Sequence, residues 1–128
     1  MVGVEQTLAF WDFEAGNDEG WTGGLPGDDA TTGQWERNDP NGTAAQPAND
    51  TTPSPGVNCW FTGQQASSDL GGNDVDGGTT TLLSPVLDMT GFSGVRVIYQ
   101  RWYSNDEGAS PNADTFLIGL SNDGGTSW

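Results

Sequence analysis

Residues 72–88, GNDVDGGTTTLLSPVLD, constrain this chain more than any other stretch. Asp74 and Asp76 stand one residue apart before Gly77-Gly78, which predicts a tight loop with side-chain oxygens turned to one point. Residues 79–83 are rich in β-formers and predict a strand. Pro85 has no N–H to give a ladder, so it belongs at a strand end or edge. The unit is a loop followed by a strand, with a cation site expected at the loop.

The rest of the chain has the same texture. Strands are expected at 8–14 (LAFWDFE), 35–37 (WER), 58–62 (NCWFT), 95–103 (VRVIYQRWY) and 115–120 (TFLIGL). The 95–103 run is the densest in β-branched and aromatic residues. Between these runs lie polar segments with strong turn chemistry, such as Asp39-Pro40 and Asn41-Gly42. The 44–56 loop holds three prolines and is long enough to need a tie, for which Asp50 is a candidate. Trp21, after a polar turn, is read as a core anchor, with an exposed stacking platform as the alternative. No segment has a helical period. The expectation is one all-β domain over 1–128, an antiparallel two-sheet β-sandwich of jelly-roll type with long polar loops.

Residues 121–128, SNDGGTSW, resemble the Asp-box, a hairpin turn in which Asp and Gly close the turn and Trp opens the return strand. A single such unit without a repeat argues against a propeller. The return strand would begin at Trp128, so the chain is expected to be a fragment lacking its last strands.

Charge narrows the function. Eighteen acidic residues face three basic ones, with no His and a formal net charge of −15. Such a field repels nucleic acid and anionic membranes and favours cations, above all Ca²⁺, which takes carboxylate and carbonyl oxygens. The missing His removes the commonest general base. Cys59 stands alone and is read as a small buried hydrophobe. Hydrophobic content of 33% favours disorder, but six Trp and five Phe favour a folded domain. No apolar run could span a bilayer. The first residues lack the pattern of a signal peptide, so any signal is expected upstream.

The candidate Ca²⁺ ligands are Glu14, Asp50, Asp74, Asp76 and Asp114, each at a strand end or in a loop. The alternative is that they are solvated surface charges. Trp60, Trp102 and Tyr103 are candidate sugar platforms, with Asn and Asp nearby for hydroxyls; burial in the core is the alternative. Two carboxylates could also serve a glycosidase, but no acid–base pair stands out in the sequence.

The order of several motifs resembles the MAM domain. Phe13-Glu14 precedes Gly20-Trp21; then come Trp35-x-Arg37, Gly42-Thr43, Asn49-Asp50-x-Thr52, Gly56 and a Leu-Ser-Pro element at Leu82–Pro85. DVDGGTTTLLSP, RWYSND and SNDGGTSW look more like bacterial relatives of immune-inhibitor-A type, jelly-roll modules appended to secreted metallopeptidases. The single Cys59 departs from the disulfides of animal MAM domains, so disulfide-supported adhesion is not implied. The resemblance implies a non-catalytic accessory or binding module of a secreted or cell-surface bacterial protein. Its partners would be a glycan or protein ligand and a parent multidomain protein such as a peptidase. A purely structural spacer or adhesion domain is the alternative.

Overall fold

The computed structural model describes residues 4–64, 70–107 and 110–128, so the expected loops at 64–76 and 104–113 fall partly outside the described residues. The described residues contain strands and turns and no helix, so the chain is all-β. Among the described residues no helix is long and apolar enough to cross a membrane. Among the described residues four strands are formed: β1 (Thr22–Gly23), β2 (Trp35–Asn38), β3 (Cys59–Thr62) and β4 (Leu82–Leu83). They pair into two antiparallel two-stranded sheets, β1 with β4 and β2 with β3.

The β2–β3 ladder runs from Trp35 opposite Thr62 to Asn38 opposite Cys59. Phe61, 3% exposed, is the only buried hydrophobic residue among those described. The second sheet is short because its ladder is taken over by side chains. Thr22 pairs Leu83 and Gly23 pairs Leu82, and further along the same two segments Thr32 bridges Asp76. From Gly23 to Thr32 is nine residues, whereas from Leu82 to Asp76 is six. The three extra residues are absorbed around the turn at Leu25–Asp28, where Asp28 N–H donates to the Leu25 carbonyl at 3.0 Å.

Asp28 holds this turn to the neighbouring segment. Its Oδ2 accepts Leu25 N–H at 2.9 Å and Thr81 N–H at 2.7 Å, and its Oδ1 accepts the Thr81 hydroxyl at 2.8 Å. Asp29 Oδ1 accepts Thr79 N–H at 2.8 Å, while Asp29 and Ala30 N–H both donate to the Thr79 carbonyl. Thr80 receives Trp35 twice, its hydroxyl from Trp35 N–H and its carbonyl from the indole Nε1. Residues 79–81, expected as strand, bond partly to side chains and partly to the backbone N–H groups of Gly24, Asp29 and Ala30, and give no regular ladder.

The two sheets meet at Gly23. A Cβ there would lie 2.9 Å from the Trp35 carbonyl and 3.0 Å from the Trp60 ring. Phe116 packs edge-on against Trp35 with ring centroids 6.5 Å apart. Near the N-terminus, Trp21 meets Trp11 and Phe13 edge-on at 5.4 and 5.5 Å. Arg37 on β2 locks that cluster, donating from Nη1 to the Phe13 carbonyl at 2.8 Å and pairing with Asp18 at 3.2 Å.

Three expected strands form no ladder: 8–14, 95–103 and 115–120. The last two still approach as antiparallel neighbours. Asn112 N–H donates to the Asn105 carbonyl, the Tyr103 hydroxyl reaches the Asp114 carbonyl, and the Arg101 guanidinium lies 5.1 Å over the Phe116 ring. Beyond Asn105 no backbone bond joins the two segments among the described residues. Ile98, Leu117 and Leu120 stay 75%, 84% and 81% exposed. A β-rich composition marks a surface suited to a half-buried pleat, and here no neighbouring strand buries it. The whole chain exposes 9159 Å², against about 6,500 Å² for a compact monomer of its mass.

Gly33 tests the close approach of the two segments. It has φ +69°, and a Cβ would lie 2.5 Å from Val75 N. Gly16 has a similar φ of +76° with nothing within 4 Å. Left-handed backbone alone should cost G16A roughly 1 kcal/mol. G33A should cost at least about 1 kcal/mol more in denaturant unfolding, because backbone must move. Equal losses in the two variants would contradict the packing described.

Candidate functional site

Glu14 lies where the N-terminal segment meets the entry to β3. Its Oε1 accepts Asn58 N–H at 2.6 Å and Val57 N–H at 2.9 Å, and its Oε2 accepts Asn58 Nδ2 at 2.8 Å. Desolvation is the largest single influence on this carboxyl and works upward. The Asn58 and Val57 donors, with Arg37 nearby, outweigh it and hold the pKa below its ordinary 4.5. Gly56 gives the backbone room here, since a Cβ would collide with the Thr52 side chain and stand 3.3 Å from Glu14 Oε1.

Asp50, Asp39 and Glu14 lie near enough to Cys59, at the start of β3, for their negative charges to act on its thiol. Burial pushes the thiol up to about 12, and the three negative charges push it the same way. Cys59 is thus a neutral, unreactive thiol at physiological pH. Asp50 Oδ1 is buried and receives no hydrogen bond. A carboxylate oxygen withdrawn from water without a donor is costly unless a cation or ordered water meets it.

The other expected metal ligands stand elsewhere. The backbone carbonyls of Asp74 and Asp76 accept from the Thr32 and Thr31 hydroxyls, and Thr31 N–H also donates to Asp76. Both residues therefore sit in the strap facing 31–32. The Asp114 carbonyl accepts from Tyr103 and Asn105 Nδ2. Among the described residues no three His, Cys, Asp or Glu side chains converge as a metal-holding group. The structure brings Glu14 and Asp50 to one corner and leaves Asp74, Asp76 and Asp114 apart from it.

The aromatic candidates also divide. Trp60 lies on β3 against Gly23, between the two sheets, with its Nε1 buried. Trp102 and Tyr103 line an open groove of about 730 Å³, whose opposite wall is the 43–47 loop. Gln46, Asn105, Asp106 and Asn112 supply its polar lining. Gln46 is 6% exposed and fixed, with Nε2 donating to the Asn41 carbonyl at 3.1 Å and to Gln64 Oε1 at 2.9 Å. Thr43 shapes the loop, its hydroxyl accepting Ala45 and Gln46 N–H at 3.1 Å each. Asn112 takes the left-handed φ of 63° that Asn tolerates, at the return of the second wall.

Sequence reasoning missed Asp28, Asp29, Asp39 and the polar groove residues. Thr43-x-x-Gln46 carried a local signal, a hydroxyl placed to cap the turn behind it. Nothing local marked Asp28 apart from the other acids. Asp123 organises the C-terminal turn: its Oδ1 accepts the Ser121 hydroxyl at 2.6 Å and Thr126 and Ser127 N–H at 3.0 Å. Hydrogen bonds from Ser121 and then Ser127 hold its pKa well below the usual carboxylate range.

The chain matches no family model, no curated protein and no solved structure.

The Glu14 tie has a pH signature. Its folded pKa lies below the unfolded value of 4.5, so its stabilisation is fully present above that value. It is lost as pH falls through the folded pKa. Protonation of the many other carboxylates relieves repulsion and acts oppositely, so the variant comparison isolates Glu14. Glu14→Gln should lower stability at pH 7 by roughly 1–3 kcal/mol and shrink the loss between pH 7 and pH 3. Parallel pH–stability curves for the two proteins would show that the tie is not made.

Proposed function

We propose that this chain is a non-catalytic accessory or binding module of a secreted or cell-surface bacterial protein, of jelly-roll type and stabilised by Ca²⁺. The observation that carries the reading is the corner at β3, where Asp50 Oδ1 is buried without a donor and Glu14 and Asp39 bring further negative charge. Glu14 Oε1 accepts two N–H donors, while Oε2 accepts one. Carboxylate oxygens of this kind, completed by carbonyls and water, fit the hard, oxygen-seeking Ca²⁺. Asp50 and Glu14 would hold the ion, and the ion would supply charge neutralisation and a tie between the 44–56 loop and the N-terminal segment.

The non-catalytic part rests on how the acids are used. Glu14, Asp28, Asp88 and Asp123 are all held below their ordinary values. A glycosidase acid needs the opposite, a raised pKa facing a second carboxylate. The place within a larger parent protein, such as a secreted peptidase, is supported by the apolar 95–101 and 116–120 surface, which a neighbouring element would cover.

Thermal melts in Ca²⁺ and in EDTA at fixed ionic strength test the reading. At 100 times its Kd, Ca²⁺ should add about 2.7 kcal/mol, several degrees for a domain of this size. Asp50→Asn should abolish the rise and Asp114→Asn should leave it intact. No rise at millimolar Ca²⁺, or an equal rise with Mg²⁺, would overturn the calcium claim.

A further inference from the structure

We propose that the groove between the 43–47 loop and the wall formed by Trp102, Tyr103, Ser104, Asn105, Asp106 and Asn112 is a binding site for a neutral oligosaccharide. The inference deepens the binding-module reading by naming the ligand class, and it does not depend on the calcium corner.

The groove's functional groups match a ring bearing many hydroxyls. Each sugar hydroxyl both donates and accepts, so a complementary wall needs both kinds of partner. Gln46 is buried and both its amide hydrogens are spent on Asn41 and Gln64, which leaves Oε1 as a fixed acceptor. Asp106 uses Oδ1 to accept the Ser104 hydroxyl at 3.1 Å and keeps Oδ2 open. Among the described residues nothing accepts from Trp102 Nε1, and the atom is not buried, so it is an available donor. The Asn112 side-chain amide is exposed and offers both a donor and an acceptor. Asn105, by contrast, gives its Nδ2 to the Asp114 carbonyl and serves to hold the wall.

The aromatic groups supply the apolar part of the match. The faces of a pyranose carry C–H groups that pack on an aromatic plane, and Trp and Tyr join such area to a polar handle. Trp102 lines the groove, and Tyr103 beside it is fixed by its hydroxyl bond to Asp114 and by an edge contact to Phe116 with centroids 5.6 Å apart. A rigid platform loses little entropy on binding. The volume falls within the roughly 300–1,000 Å³ of ligand clefts, and its open form suits a chain entering from either end.

Charge selects against acidic sugars. No Lys or Arg lines the groove, Asp106 does, and the whole chain carries −15. Arg101, next in sequence, is committed to the Phe116 face. A uronate or sialate would meet repulsion without a partner cation, whereas a neutral sugar desolvates no charge of its own.

Affinity electrophoresis through gels containing one polysaccharide each tests this directly. The neutral probes are glucomannan, xyloglucan, arabinoxylan, mixed-linkage β-glucan and galactan; the anionic probe is polygalacturonate. At least one neutral polysaccharide should retard the protein, and polygalacturonate should not. Trp102→Ala should weaken retention at least tenfold. Asp106→Ala, on an exposed side chain that the fold does not need, should weaken it at least threefold while the melting temperature is unchanged. Three results would overturn the proposal: no retardation by any neutral probe, retention unaffected by both substitutions, or retardation by gelatin alone, which would assign the groove to peptide. Retention that survives in EDTA would separate this site from the calcium reading, whichever way the latter falls.

Discussion

Carboxylate oxygens that accept backbone N–H groups hold this chain together. Asp28 takes Leu25 and Thr81, Asp29 takes Thr79, Glu14 takes Val57 and Asn58, and Asp123 takes Thr126 and Ser127. Each bond joins an ionised acceptor to a neutral donor, the stronger kind of hydrogen bond. The need for such bonds follows from the core. With Phe61 the only buried hydrophobic among the described residues, apolar burial cannot fix the loops, and polar ties must. The acids that make the chain so negative are, at these positions, the groups that position its backbone.

That economy explains what could be read from the sequence. β2 and β3 were legible because the short runs 35–37 and 58–62 carry aromatic residues between turn-rich segments, and the structure pairs them residue by residue. The all-β character was legible for the same reason. Residues 95–103 misled, since β-branched density describes a surface awaiting a neighbour, and whether one is present is a long-range fact. β1 was invisible, because Thr22-Gly23 has no strand signal of its own and is extended only by pairing with Leu82–Leu83.

The candidate sites divide along the same line. Glu14 and Asp50 could be named from their loop positions, but that both their charges reach Cys59 is a long-range fact no local pattern specifies. Asp74 and Asp76 looked the most like a cation loop, yet their carbonyls are engaged by Thr31 and Thr32 in a backbone strap. Among the tryptophans, Trp60 faces a glycine between two sheets and Trp102 faces a groove. The difference lies in what stands opposite each ring, and composition carries no record of it. The groove and the Asp50 corner share one element, the 43–56 stretch, whose other end presents Gln46.

The most direct test of this account is a titration of the side-chain carboxyl carbons by NMR. If carboxylates hold the backbone, Glu14 and Asp28 should titrate below their ordinary values of 4.5 and 3.8, with Asp123 lowest of all. Loss of the Thr81 and Asn58 amide shifts should follow the same midpoints. Ordinary or raised values at Glu14 and Asp28, with those amides unmoved through the transition, would contradict it.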